Sequence, residues 1–207
     1  MFKKLAITGI IIVGACATAQ ADYITNGQFA APGITPTNQV WNTFSTIDGW
    51  YSQSDAATGT NNLIEVGSPA IYGLTNTVGN NLELNSYGPS EVSQNINSGA
   101  QVLALSFLDG YRYDPNNPNV NTNGFNVLWN GAVVGSYLPT SSVMSLQTLD
   151  VTAHAGTNVL SFESTCPISN STYGGEIQNV VATPEPASFA TLGLGFGLIG
   201  LVRRRRK

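Results

Sequence analysis

The chain has 207 residues, with 8 Lys and Arg against 12 Asp and Glu, and its formal charge of −4 averages three unlike parts. Lys3 and Lys4 sit at the start and five cations close the chain at Arg203–Lys207; between Asp22 and Thr183 only Arg112 faces eleven carboxylates, a net charge of −10. A body so acidic is repelled by phosphate backbones and anionic lipid, which excludes a nucleic-acid partner.

At the N-terminus, Lys3-Lys4 precede the apolar run Leu5 to Ala17, and Ala19-Gln20-Ala21 reads as an A-x-A cleavage site. This is the pattern of a secretory signal peptide spanning 1–21, cut by signal peptidase between Ala21 and Asp22. Val13-Gly14-Ala15-Cys16 offers a rival reading as a loose lipobox with a lipidated Cys16. If the signal peptide is removed, Cys166 is the one cysteine left and no internal disulfide can form. The body, 22–182, is about 160 residues, enough for one domain to bury a core without cross-links.

Along that body, short runs of alternating polarity recur between clusters of Gly, Asn, Pro and Ser, and no stretch carries a sustained 3.6-residue stripe. Leu82-Glu83-Leu84 alternates, and Val102 to Leu108 reads as a core strand. Phe125-Asn126-Val127-Leu128-Trp129 sets Phe125, Val127 and Trp129 on one face. Asn130-Gly131 then predicts a two-residue hairpin turn, with Ala132 to Leu138 returning as the partner strand. Val159 to Phe162 and Ile177 to Ala182 complete the set. The expected fold is all-β, an antiparallel two-sheet sandwich of jelly-roll type. Trp41, Trp50 and Trp129 are expected in its core, the default for an aromatic beside a turn.

Candidate chemistry is sparse. His154 is the one histidine; it sits at an expected turn, no G-x-S-x-G elbow is present, and Cys166 has no sequence-local partner. One His and one Cys do not make a zinc site. Paired carboxylates for glycoside hydrolysis depend on spatial separation, and nothing in the sequence singles out a pair. The segment Leu108 to Asn119 is long and polar and holds Arg112. Tyr111 and Tyr113 would offer ring faces to a sugar, and Arg112 a bidentate fork to a uronic-acid carboxylate. The bland alternative pairs Arg112 with Asp109 or Asp114. Asp109, Asp114, Asn116 and Asn117 are also oxygen donors suited to a structural calcium, without the spacing of an EF-hand loop; Asn and Asp beside Pro and Gly more commonly make turns. No other cofactor is expected. Asn170-Ser171-Thr172 fits a glycosylation sequon, a common tripeptide in an Asn-rich chain.

The last segment, 183–207, is tripartite. Thr183-Pro184-Glu185-Pro186-Ala187 precedes 15 uncharged residues, Ser188 to Val202, and then Arg203-Arg204-Arg205-Arg206-Lys207. As a helix the apolar run spans roughly 22 Å, short of a hydrocarbon core of about 30 Å, and is read as a short transmembrane helix with the arginines cytoplasmic. Pro184 and Pro186 bias their preceding residues away from helix, so a flexible linker is expected around Thr183 to Ala187. The order Pro184-Glu185-Pro186, apolar run, Arg203 to Arg206 resembles the PEP-CTERM sorting signal of Gram-negative bacteria. That resemblance implies a transient inner-membrane intermediate handed to an exosortase-type membrane peptidase, then release or anchoring at the cell surface.

A second resemblance covers most of the body. Asn26-Gly27-Gln28-Phe29, Asp48-Gly49-Trp50, Asn81 to Ser86, Val92-Ser93-Gln94, Leu105-Ser106-Phe107, Val127 to Gly131, Leu160-Ser161-Phe162 and Gly175 to Val180 occur in the order seen in galactose-binding-like jelly rolls. This chain has Ala30 where the family usually places an acid, and Gln178 where it usually places Asp, so no family ligand or ion site is carried over. Together the readings imply an exported surface or matrix protein of a biofilm, structural or adhesive and not an enzyme. The alternatives are a binding module for an extracellular polysaccharide and a polysaccharide hydrolase.

Overall fold

The computed structural model describes residues 22–53, 63–112, 114–116, 121–168 and 172–185. Among them, in chain order, run β1 (Trp41–Phe44), β2 (Thr46–Ile47), β3 (Trp50–Gln53), β4 (Ile64–Gly67), the one-turn helix α1 (Pro69–Tyr72), β5 (Asn81–Glu83), β6 (Glu91–Ser98), β7 (Gln101–Tyr111), β8 (Phe125–Trp129), β9 (Ala132–Tyr137), β10 (Ser145–Ala153), β11 (Gly156–Ser164) and β12 (Gly175–Pro184). They form two six-stranded sheets, β1-β4-β5-β12-β7-β10 and β2-β3-β6-β11-β8-β9, with every strand pair antiparallel. The expected antiparallel two-sheet sandwich is what the described residues build. The expected signal helix and membrane helix lie outside them, and no helix among the described residues is long and apolar enough to cross a membrane.

The pleat explains the core. Successive side chains of a strand point to opposite faces, so Ile64 and Val66, Leu82, Leu103, Leu105 and Phe107, and Ile177 face inward from the first sheet. Trp50, Val92, Ile96, Phe125, Val127, Trp129, Leu160 and Phe162 meet them from the second. Phe107 lies edge-on to Phe162 and Tyr137, with ring centroids 5.3 and 5.2 Å apart. Each fully buried side chain of this kind contributes roughly 1.5–3 kcal/mol. Asn130 and Gly131 both take positive φ, 53° and 79°, as the expected hairpin turn requires. Trp50 and Trp129 are buried as expected, but Trp41 is 50% exposed. It opens β1, the edge strand of its sheet, where no further strand among the described residues covers it.

The sequence Asn26-Gly27-Gln28-Phe29 has a packing reason. Asn26 (φ 53°) holds its loop by donating to the Ala30 carbonyl and accepting from the Ala30 N–H. Gly27 lies so close to β12 that a Cβ there would stand 1.9 Å from the Val180 carbonyl oxygen, and the Val180 N–H donates to the Gly27 carbonyl at 2.9 Å. Opposite it, β12 shifts register between Gln178 and Val181, with Asn179 at φ 47°. Asn tolerates that left-handed conformation better than most residues.

The chain ends of the sandwich meet at one pole. The Tyr23 N–H donates to the Ala182 carbonyl at 2.8 Å, and the Asp22 carboxylate accepts from the Ala182 N–H at 2.9 Å. Strand β12 runs through Thr183 to Pro184, paired with Leu103, and the Glu185 N–H donates to the Val102 carbonyl at 3.2 Å. The flexible linker expected to begin near Thr183 is therefore corrected. Its first three residues are held against β7, because Pro184 at a strand end needs no N–H for the ladder. Along β7, Asp109 lies seven residues from Val102, about 24 Å at 3.4 Å per residue. That far end is the opposite pole.

Candidate functional site

The first cluster sits on the outer face of the first sheet. Glu65 on β4 and Glu176 on β12 both pair in register with Glu83 on β5. The three carboxyls thus stand side by side, alternate to the core residues Ile64, Val66, Leu82 and Ile177. All are buried, Glu83 and Glu176 fully. Their cover comes from α1, from the end of β7 and from the 172–174 segment. Arg112 donates from Nη1 to Glu83 Oε2 and lies 3.7 Å from Glu65 Oε1. Its guanidinium is 4.5 Å from the ring centroids of both Tyr72 and Tyr173. The Tyr72 hydroxyl donates to Glu65 at 2.9 Å, the Gly174 N–H to Glu83 at 2.7 Å, and the Asn81 amide to Glu176 at 3.2 Å.

One guanidinium does not neutralise three buried carboxylates, so protons must. Burial, and then the neighbouring charges of Glu176 and Glu65, push Glu83 well above the usual carboxylate range, against the pull of Arg112. Burial also raises Glu176, to about 8, with Arg112 working the other way. Glu65 is raised by burial and held back by the Tyr72 hydroxyl and Arg112. Glu176 lies within hydrogen-bonding reach of Glu83, and a bond between those two carboxyls requires a proton on one of them; Glu176 Oε1 itself meets no donor. For Arg112, burial works against the charge, but Glu83 and Glu176 outweigh it and raise its pKa.

This fixes the meaning of the Tyr111-Arg112-Tyr113 candidate. Arg112 is an internal counter-ion, paired with neither Asp109 nor Asp114, and its tyrosine neighbours are Tyr72 and Tyr173. The Tyr111 N–H donates to the Ser141 carbonyl at 2.8 Å, and Tyr113 lies outside the described residues. The sequence signal for Arg112 was real, since it is the one cation of the body. Its partners were invisible because they sit 29 or more residues away in the chain, on β5, β4, α1 and the 172–174 segment.

The second feature is a cleft of about 320 Å³ at the pole opposite the chain ends, lined by the end of β7, the end of β9, the 138–144 loop and the start of β10. Asp109 and Gln147 form its floor, with the Gln147 amide donating to Asp109 Oδ1 at 3.0 Å. Burial pushes the Asp109 carboxyl up, and the Gln147 bond opposes that. Tyr137 makes a rigid wall, stacked on Phe125 at 5.3 Å and edge-on to Phe107. Ser136, Thr140, Ser141 and Ser145 add hydroxyls, and Leu138, Pro139 and Val143 an apolar rim. The loop is tied down. Thr75 accepts from the Met144 N–H at 2.9 Å and donates to the Ser142 carbonyl at 3.0 Å, and the Asn76 amide donates to the Met144 carbonyl at 2.8 Å.

The calcium candidates part company. Asp109 belongs to this cleft, whereas Asp114 accepts from the Asn116 N–H at 2.8 Å in a local turn, and Asn117 lies outside the described residues. Among the described residues no group of three or more His, Cys, Asp or Glu is arranged to hold a metal ion. Gln178, in the position where an acid was expected, accepts from the Val78 N–H at 2.9 Å and donates to the Gly79 carbonyl and to Asn81. His154 is exposed at the β10–β11 turn, its Nδ1 3.2 Å from the Ala155 carbonyl oxygen. Cys166 is free and buried.

Fold and ends define the class: an acidic two-sheet sandwich whose last strand runs directly into a C-terminal sorting signal. Residues 182–207 match the PEP-CTERM protein-sorting motif, which indicates export and sorting to the cell surface. Pro184 and Glu185 of that motif are in the strand and its extension; Pro186 and Arg203 to Arg206 lie outside the described residues, as do Ala19 and Ala21 of the expected signal cleavage site. Two curated relatives are multifunctional-autoprocessing repeats-in-toxin proteins. That of Vibrio vulnificus is 31% identical over 150 residues, 70% of this chain, and that of Vibrio cholerae 36% identical over 110 residues, 52% of this chain. The chain spans only 3% and 2% of their lengths. Among solved structures it is similar to a CBM35 from Paenibacillus barcinonensis (17% identity, TM-score 0.42, 70% of this chain and 99% of that one). It is also similar to the CBM36-1 domain of a xylanase from the Trinervitermes trinervoides hindgut metagenome (10% identity, TM-score 0.42, 72% and 98%).

Proposed function

We propose that this chain is a surface-displayed binding domain, exported and sorted through its C-terminal motif, that holds extracellular polysaccharide without turning it over. The observation that carries the reading is polarity. The sorting motif leaves from one pole, where Ala182 is hydrogen-bonded to Asp22 and Glu185 to Val102. The hydroxyl-, amide- and aromatic-lined cleft opens at the other. While the chain is held by its tail, such a domain presents the cleft outward. Sugars suit that lining, because their C–H faces pack on an aromatic wall while their hydroxyls take carboxylate and amide partners.

A structural or adhesive role follows from holding a polymer at the surface. Hydrolysis fits the carboxylates poorly: Glu65, Glu83 and Glu176 are buried around Arg112, and Asp109 is the cleft's acid with Gln147 beside it. The peptidase of the sorting step and the signal peptidase are the processing partners this reading requires.

The test is the mature protein recovered from its host. Intact mass should show loss of 1–21 and of sequence beyond Glu185, and affinity electrophoresis in gels containing extracellular polysaccharide should retard it with no reducing ends released. A protein that keeps Arg203–Lys207 in the envelope refutes the processing. Mobility identical in every gel refutes the binding.

A further inference from the structure

We propose that the cleft formed by Asp109, Gln147 and Tyr137 selects a neutral, hydroxyl-rich glycan and rejects uronic and other acidic sugars. This rests on the carbohydrate reading above and names its ligand class. It departs from the sequence expectation, in which Arg112 would receive a sugar carboxylate.

The argument is one of charge and donors. Arg112 is the only Lys or Arg between Asp22 and Glu185, and it is spent inside the fold on Glu83 and Glu65, sandwiched by Tyr72 and Tyr173. An acidic sugar therefore finds no free Lys or Arg on this domain. His154 stands at the β10–β11 turn, the pole where the tail leaves, because Ala153 pairs with Gln101 at the start of β7. The floor of the cleft is instead the Asp109 carboxylate, 4% exposed and fixed by Gln147. A carboxylate accepts from hydroxyls and repels another carboxylate. The Gln147 amide uses one N–H on Asp109, which leaves its carbonyl and second N–H to face hydroxyls as acceptor and donor. Carboxylate, amide and rigid ring side by side make a set that orients a neutral sugar. The uncharged run Ala132 to Leu149, which supplies most of the walls, keeps the rest of the surface neutral. The ties from Thr75 and Asn76 hold the 138–144 loop in place before any ligand arrives, so little ordering remains to oppose binding.

The experiment is isothermal titration of the mature protein and its variants against two soluble sets: neutral polymers (galactan, mannan, dextran, arabinan) and acidic ones (polygalacturonate, alginate, hyaluronate). The expected result is binding to at least one neutral polymer, weakened tenfold or more by Asp109→Asn and by Gln147→Ala, with acidic polymers at least tenfold weaker. Thr140→Trp, on the exposed rim, should block the same binding without touching the buried pair. It keeps the test valid if the floor variants unfold, and urea midpoints report that directly. Neutral binding that survives Asp109→Asn, Gln147→Ala and Thr140→Trp alike overturns the cleft and leaves the carbohydrate reading standing. Preference for the acidic set overturns the selectivity. Absence of binding to both sets overturns the carbohydrate reading itself.

Discussion

Replacing Arg112 by alanine removes the only cation that faces Glu65, Glu83 and Glu176 among the described residues. Breaking a buried ion pair by deleting one partner costs about 3–5 kcal/mol, because the other charge stays buried and uncompensated. Two flanking rings add cation–π contacts worth roughly 0.5–2 kcal/mol each, in part already counted in that figure. Against this, carboxyls already biased toward protonation can take up protons, and they do so more readily at low pH. The loss is therefore expected near 3–5 kcal/mol at pH 8 and clearly smaller at pH 5, a large share of the ~5–15 kcal/mol that holds a domain together. Urea unfolding of the mature protein at both pH values measures it. The double variant Arg112→Ala/Glu83→Gln should recover part of the loss at pH 8, since it deletes the stranded charge. A loss below about 1 kcal/mol at pH 8 would refute the buried-pair reasoning. An equal loss at pH 5 and 8 would assign the effect to packing of the guanidinium between the rings.

Three further outcomes follow from the same geometry. The Glu176 carboxyl sits at about 8 in the fold against an ordinary carboxylate value near 4.3 when unfolded, so the folded state binds the extra proton between those limits. Its contribution to stability is present below the unfolded value, falls as pH rises and levels off above about 8; Glu176→Gln should flatten urea midpoints over that range, and an unchanged slope would count against the shared proton. Gly27→Ala forces a Cβ to within 1.9 Å of the Val180 carbonyl oxygen and should cost on the order of 2 kcal/mol or more, whereas Gly131→Ala, with open space but φ 79°, should cost about 1 kcal/mol; thermal midpoints rank the two. Trp50→Ala should lose about 3–5 kcal/mol while Trp41→Ser stays within about 0.5 kcal/mol, and comparable losses would contradict the burial difference between them.

Local chemistry was legible in the sequence, and pairing across the sheets was not. Phe125, Val127 and Trp129 with the Asn130-Gly131 turn could be read directly, because period-2 alternation and a positive-φ dipeptide are local signals. Trp41 was misplaced because edge or centre is a property of strand order. Alternation in Leu82-Glu83-Leu84 correctly puts Glu83 on the outer face. What it hides is that α1 and the 172–174 segment cover that face, so the outer face there is not solvent. Glu65, Glu83 and Glu176 meet only because β4, β5 and β12 lie side by side, an order no local pattern encodes. The cleft was half visible: Asp109 stood out as an oxygen donor, but Gln147 and Tyr137, which give it a role, come from β10 and β9. The one available hint was the long uncharged run from Ala132 to Leu149 in an acidic chain.

The position of β12 links sorting to folding. Its residues supply Glu176 to the buried cluster, Val180 to the Gly27 contact, Ala182 to the tie with Asp22 and Tyr23, and Pro184 with Glu185 to the edge of β7. The start of the sorting motif at residue 182 is therefore the end of a central strand of the first sheet. A chain cut N-terminal to Pro184 would lose its pairing with Leu103 and the bond from Glu185 to Val102. A cut after Glu185 leaves every one of these contacts intact. The fold thus sets where trimming is harmless, and the same strand that carries the signal carries the domain's stability up to that boundary.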